Sequence, residues 1–113
     1  MVNSIKKNEE FREIYHSGKS YANKYLVMYV KKNDLETGRL GISVSKKVGN
    51  SVVRHRIARL IRESYRLNER KFHSGWDIVV VARQGAKGRN YFEINSAMLH
   101  LAKLHRILCE VSD

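Results

Sequence analysis

The chain has 113 residues, with 22 Lys and Arg against 11 Asp and Glu, and a formal net charge of +11 at pH 7. This length predicts one domain, residues 1–113, and a hydrophobic content of 42% suffices for one modest core. A single cysteine excludes an intrachain disulfide, while the basic balance favours a polyanionic partner. The N-terminus is polar and no apolar run approaches a membrane span, so we expect a cytoplasmic protein without a membrane partner.

The first predicted element is a helix that begins near Asn8, a polar cap followed by two acids. Phe11, Ile14 and Tyr15 recur at helical spacing, and Gly18 can end the helix. By spacing alone, these three apolar residues are best explained as core positions.

Residues 25–32 alternate as a strand does, with Leu26, Met28 and Val30 on one side. The other side carries Tyr25 and Tyr29, flanked by lysines. These tyrosines either cover the sheet or offer a stacking platform to unpaired bases, and the sequence alone leaves both interpretations open.

A turn over residues 33–38 precedes a second alternating strand, residues 39–45, whose outward face carries only Gly41, Ser43 and Ser45. Small side chains there predict a surface that a backbone or a phosphate can approach closely. Residues 77–83 form an apolar run typical of a strand buried on both faces. A loop over residues 84–89 leads to a last helix, opened by a capping box from Asn90 to Glu93. The predicted core stripe of this helix is Ile94, Ala97, Met98, Leu101, Leu104 and Leu108.

The stretch 45–71 lies between the second and third predicted strands and supplies +7 of the net +11. As a helix it divides into an apolar sector and a cationic sector. The apolar sector is Val53, Ile57, Leu60 and Ile61, with Tyr65 at its edge. The cationic sector is His55, Arg59, Arg62 and Arg66, with Arg56 on its flank. An ordinary solvated helix would intersperse acids as i, i+4 partners, but this one contains only two.

The start of this basic helix is a predicted anion site. Asn50 or Ser51 can cap the first turn, and Lys46 and Lys47 add their charges to the free N–H groups there. Arg54 projects nearer the apolar sector, but from the first turn its long side chain can reach outward past the helix end. The whole order of elements predicts an α+β domain, with helices packed on a mainly antiparallel sheet.

The segment KKVGNSVVRHRIARLIRESYR resembles the signature of the bacterial ribonuclease P protein subunit, in which a Lys-rich turn ending in Gly-Asn leads into a helix carrying Arg-Asn-Arg. The segments KKNEEFREIYHSGKSYANKYLVMYV, RLGISVSKKVGN and DIVVVARQGAK follow the same family in order and spacing, so the resemblance covers nearly the whole chain. Two positions depart from the pattern. His55 replaces the middle residue of the triplet, and Ala58 stands where the family usually has another basic residue.

The resemblance implies the αβββαβα two-layer sandwich shared with a ribosomal protein domain. It also implies a short extra strand around Tyr21 and a left-handed strand–helix–strand crossover through the basic helix. General rules predict a right-handed crossover, so the handedness is an expectation from the family alone.

The resemblance further implies the protein subunit of a ribonucleoprotein endonuclease that removes the 5′ leader from precursor tRNA. Its expected partners are the ribonuclease P RNA subunit and precursor tRNA, with no DNA and no membrane. Catalysis and its Mg²⁺ are expected to belong mainly to the RNA subunit and the substrate. The expected RNA-binding residues are Lys46, Lys47, Asn50, Arg54, His55, Arg56, Arg59, Arg62 and Arg66. The expected leader-binding cleft is Phe11, Tyr15 and Tyr29.

The sequence offers no convincing catalytic or metal-binding constellation in the protein itself. The five histidines are scattered, and His100 and His105 miss the i, i+4 spacing of a helical metal pair. Two other functions stay possible from the residues: a structural RNA-binding protein of the ribosomal type, and a DNA-binding regulator. The regulator is disfavoured because the basic helix is flanked by predicted strands rather than by a helix-turn-helix partner.

Overall fold

The computed structural model describes residues 2–109 and contains three α-helices and four β-strands. Their order confirms the predicted αβββαβα arrangement, including the short strand around Tyr21. The elements are α1 (Asn8–Ser17), β1 (Lys19–Ala22), β2 (Leu26–Lys32), β3 (Arg39–Ser43), α2 (Ser51–Asn68), β4 (Trp76–Ala82) and α3 (Tyr91–Leu104), with short 3-10 turns at Glu69–Lys71 and Gln84–Ala86.

The four strands form one mixed sheet in the order β1-β2-β4-β3. β2 pairs antiparallel with both β1 and β4, whereas β3 and β4 run parallel and are connected through α2. The outer edge of β3 is covered by residues 3–5, since Ile5 N–H donates to the Leu40 carbonyl and Leu40 N–H to the Asn3 carbonyl. The left-handed sense of the crossover stays a prediction.

The main core lies between the sheet and the pair α2 and α3, which pack side by side on one face. Leu26, Met28 and Val30 point into this core as predicted, and all three are buried. α1 covers part of the opposite face through a smaller cluster of Ile14 and Val79. β4 is therefore covered on both faces, which confirms the interpretation of its apolar run. Among the described helices, none is long and apolar enough to cross a membrane.

The ends of α1 and α3 differ from the sequence prediction. Lys7, not Asn8, occupies the N-cap of α1, and it makes no side-chain capping bond. Leu104 is 43% exposed, because the chain reverses at Arg106 with φ of 59° and brings Ile107 back into the core. This reversal is a Schellman-type ending, in which the Ile107 N–H donates to the Ala102 carbonyl.

Candidate nucleic-acid interface

The buried face of α2 fixes which side chains of the basic helix face solvent. The Asn50 side chain accepts the Val53 N–H at 3.0 Å and caps the helix as predicted. Ile57 and Ile61 are fully buried, and Tyr65 lies deep in the core rather than at the edge of the apolar sector. With that stripe inward, the predicted cationic sector is exposed: His55, Arg59, Arg62 and Arg66, together with Arg56 on its flank.

Most cations of this surface have no carboxylate partner. Within residues 2–109, Arg66 pairs with Glu63, whereas six predicted RNA contacts have no carboxylate within 4.0 Å. These six are Lys46, Lys47, Arg54, Arg56, Arg59 and Arg62. The hydrogen bond from Arg66, with the charge behind it, holds the pKa of Glu63 below its ordinary value. Arg66 is thus the member of the sector whose charge is already compensated.

Arg54 is less available than the sequence suggests. It is half-buried, and its Nε is buried without a hydrogen-bond partner, so its stem follows the interior instead of extending freely past the helix end. Of the two positions that depart from the family pattern, His55 is exposed and Ala58 is partly exposed. Both therefore border the cationic surface.

The three predicted cleft residues form one aromatic cluster on the face of the sheet that carries α1. The ring centroids of Phe11 and Tyr15 are 6.3 Å apart, and the Tyr15 ring stands edge-on to Tyr29 at 4.9 Å. Tyr15 is 38% exposed, whereas Phe11 and Tyr29 are partly buried. Tyr15 therefore presents the most accessible ring of the cluster.

The space predicted beside Gly41 is already occupied. A Cβ at Gly41 would lie 2.8 Å from the Phe11 ring, so glycine is required there for α1 to pack on β3. The expectation that a phosphate or backbone approaches at this position is wrong for Gly41. Two residues further along β3 lies a row of partly exposed side chains, formed by Val27, Val81 and Ser43. β3 ends at this row, and the next residues lead into the turn with the two lysines.

Tyr25 does not share the face of Tyr29. Its backbone N–H donates to the Asn23 side chain at 3.1 Å, so it lies in a loop before β2 and the strand alternation does not extend to it. Its ring packs against the main core on the helix side, under the Arg89 guanidinium. The sequence prediction placed it on the wrong side of the sheet.

An ion-pair network that the sequence analysis missed fastens α1 to the sheet. Arg39 donates to both carboxylate oxygens of Asp77, at 2.9 and 2.7 Å, and to Glu10 of α1 at 2.6 Å. Asn33 adds a further bond to Asp77. Burial acts to raise the pKa of Asp77, but the bonds from Arg39 and Asn33 outweigh it and leave that pKa below its ordinary value. The sequence signal for this network was Asp77, a single acid in the otherwise apolar strand β4.

Among residues 2–109, no group of three or more His, Cys, Asp and Glu is arranged to hold a metal ion. His105 contacts the Met28 carbonyl through Nε2 at 2.8 Å and stacks edge-on against Tyr21, so its role is structural.

The fold and this surface define a class: a small α+β protein with a solvent-facing cationic helix beside an aromatic cluster, suited to a nucleic acid. Comparison with known proteins specifies the class further. The family model for ribonuclease P matches residues 2–106. The ribonuclease P protein component of Lachnoclostridium phytofermentans is 68% identical over 108 residues, covering 96% of this chain and 93% of the relative. That of Alkaliphilus metalliredigens is 52% identical over 106 residues, covering 94% and 96%.

Comparison with solved structures leads to the same family. The Staphylococcus aureus ribonuclease P protein superposes with a TM-score of 0.88 at 39% identity, covering 96% of this chain and 100% of that one. The Thermotoga maritima ribonuclease P protein gives 0.82 at 29% identity, covering 89% and 96%. This chain belongs to the ribonuclease P protein family. It is accordingly a protein component of the ribonuclease P ribonucleoprotein.

Proposed function

We propose that the exposed face of α2 and the turn before it bind the RNA subunit of ribonuclease P through its phosphates. The observation that carries this proposal is the buried stripe of Ile57, Ile61 and Tyr65, which forces the cationic sector into solvent. Within 2–109 six of these cations have no carboxylate partner, and the five that are exposed can replace condensed counterions on RNA, whereas Arg54 is half-buried. Such contacts position the protein without reading sequence.

The aromatic cluster of Phe11, Tyr15 and Tyr29 is the proposed seat of the single-stranded 5′ leader. Stacking of unpaired bases on aromatic rings contributes about 1–3 kcal/mol per base and tolerates any sequence, as a protein serving many precursors requires. The partly exposed row beside the cluster leads toward the lysine turn, so a leader strand could meet aromatic and cationic groups in succession.

The catalytic centre belongs, in this proposal, to the RNA subunit, which with the substrate would bind Mg²⁺ and supply the activated water. Three acids around α1 are poor candidates for a protein Mg²⁺ site, because they already contact cations: Glu10 and Asp77 contact Arg39, and Glu13 contacts Lys31. The protein instead reduces repulsion between two large anions and so lowers the Mg²⁺ that cleavage requires. The proposed place of action is the cytoplasm, without DNA or a membrane as partner.

Reconstitution tests the proposal. The purified chain is mixed with a bacterial ribonuclease P RNA at low Mg²⁺, and cleavage of precursor tRNA is followed against RNA alone. The expected result is rescue of cleavage by the protein and no cleavage by the protein without RNA. RNA binding without rescue would instead indicate a structural RNA-binding protein, and cleavage by nucleic-acid-free protein would overturn the assignment of chemistry to RNA.

A further inference from the structure

A second groove lies on the helix side of the sheet, away from the aromatic cluster. It runs between the loop that joins β1 to β2 and the first turns of α3, with a volume of about 730 Å³. This volume falls in the range of roughly 300–1,000 Å³ typical of ligand-binding clefts. Its lining includes Lys24, Tyr25, Phe92, Glu93, Ser96 and His100.

Phe92 is the most unusual residue of this groove, because its large apolar ring is 78% exposed. It lies in the first turn of α3, where the Tyr91 ring stands edge-on to it at 5.7 Å. The main core is complete without it. Covering an exposed aromatic ring removes apolar surface from water and so lowers the free energy. The position of Phe92 therefore indicates a contact surface.

Two cations lie close to the Tyr25 ring, one of the aromatic side chains that line the groove. The Arg89 guanidinium lies 5.2 Å from the centroid of the Tyr25 ring, and the Lys24 ammonium lies 5.8 Å from the same centroid. The acid that lines the groove, Glu93, accepts from the Asn90 N–H in the capping box and from Arg89. Glu93 and Arg89 therefore offset one another's charge, and Lys24, which has no carboxylate within 4.0 Å among the described residues, leaves the groove with a net positive charge that favours an anion.

The groove is continuous with the cationic surface of α2. Arg56 donates through a guanidinium nitrogen to the Arg89 carbonyl at 3.0 Å, which joins the basic helix to the loop before α3. That loop exposes two further cations, Arg83 and Lys87. A polyanion that lies along α2 would therefore meet this groove at its edge.

We propose that this groove binds an unpaired nucleotide of an RNA partner, with the base stacked on Phe92 and the phosphate against Lys24 and Arg89. The proposal rests on the proposed function in one respect, that the partner on α2 is RNA. An aromatic ring within a cationic rim is the combination that binds single-stranded nucleic acid without sequence preference. A purely apolar protein partner would gain nothing from the rim.

Phe92→Ala tests the stacking, with Leu104→Ala as the matched control, since Leu104 is 43% exposed on the same helix but outside the groove lining. The probe is a fluorescein-labelled decauridylate, and the comparison is a blunt RNA duplex of equal length. Every protein tested is the full chain with Tyr15→Ala, which weakens binding at the other aromatic cluster. Phe92→Ala is expected to lower the affinity for the single strand about fivefold or more, and the affinity for the duplex far less. Leu104→Ala is expected to change neither.

Phe92→Trp places a fluorescent indole in the groove. A base stacked on that indole would quench tryptophan emission more than RNA quenches the wild-type chain, whose tryptophan is Trp76. Equal affinities for Phe92→Ala and Leu104→Ala, or no added quenching, would overturn the nucleotide site. Loss of a concentration-dependent dimer in Phe92→Ala, with unchanged RNA affinity, would assign the groove to a second copy of the chain. If the wild-type chain rescues cleavage at low Mg²⁺ while these RNA results fail, the inference is wrong and the proposed function stands; if rescue itself fails, the proposed function is wrong.

Discussion

Removing two uncompensated arginines from α2 should change the salt dependence of RNA binding by a calculable amount. Arg59 and Arg62 are exposed, and among the described residues neither has a carboxylate within 4.0 Å, so each can neutralise one phosphate. A neutralised phosphate contributes about 0.7 to the slope of log affinity against log salt for a single strand, and about 0.9 for a duplex of the B-DNA type. Replacing both by glutamine should therefore reduce the slope by about 1.4–1.8.

The corresponding loss of affinity at 0.1 M salt is about 25- to 60-fold from counterion release alone. The matched control is Lys6→Gln with Lys103→Gln, which removes the same charge from two exposed positions outside the cationic surface. At this ionic strength the Debye length is about 10 Å, so distant charges contribute little.

The measurement is a fluorescence-anisotropy titration of ribonuclease P RNA at several salt concentrations, with Mg²⁺ fixed. The expected outcome is a reduced slope for the arginine pair and an unchanged slope for the lysine pair. Equal reductions in both pairs would show that net charge, rather than the exposed face of α2, sets the binding, and the local reasoning would be refuted.

Further predictions concern the leader site, the ion-pair network, the cap and a partly buried histidine. Tyr15→Ala should lower the affinity for precursor tRNA about fivefold or more and leave the affinity for mature tRNA unchanged, because only the precursor carries a leader to stack. Equal losses of affinity for both tRNAs would contradict the proposed leader-binding cleft. Arg39→Met should lower the free energy of unfolding in urea by about 3 kcal/mol, since it leaves Asp77, 9% exposed, without its cation. Because the pKa of Asp77 is lowered in the folded state, the stabilisation is present above about pH 4 and is lost as pH falls below it. The free energies of unfolding of the wild type and Arg39→Met should therefore become equal in acid. A difference that stays constant with pH would contradict this account. Asn50→Ala should cost about 1 kcal/mol in the same assay, and an unchanged midpoint would show that the cap is not used. Burial lowers the pKa of His105, despite the opposing hydrogen bond to a backbone carbonyl, so the wild-type melting temperature should fall as pH drops below 6.5 and His105→Gln should flatten that fall.

Local pattern predicted most of the secondary structure because the relevant forces are local. The Asn50 cap, the capping box at Asn90 and the inward stripe of α2 depend on neighbours a few residues away, and the structure confirms each. The exposed face of α2 followed from the same periodicity. A strand covered on both faces was likewise visible as the apolar run that became β4.

The errors concern contacts between segments far apart in the chain. The space beside Gly41 could not be known to hold the Phe11 ring without the docking of α1 on β3. The bond from Arg39 to Asp77 joins residues 38 positions apart, so no periodic pattern contains it. Tyr25 left its predicted face because an Asn23 side chain shaped the loop before β2. The roles of the RNA-binding and cleft residues stay predictions.

From the position of β4 in the sheet we expect residues 2–109 to unfold as a single cooperative unit. This strand pairs with β2 and β3, both of which precede it across the whole of α2, so neither end of the chain contains a complete sheet. A protease cut in the exposed turn at residues 34–37 would separate β2 from β3 and leave two fragments, each missing a neighbour of β4 or the strand itself. Such fragments should regain native structure only by reassembling with one another, which makes this turn a natural place to split the protein for complementation.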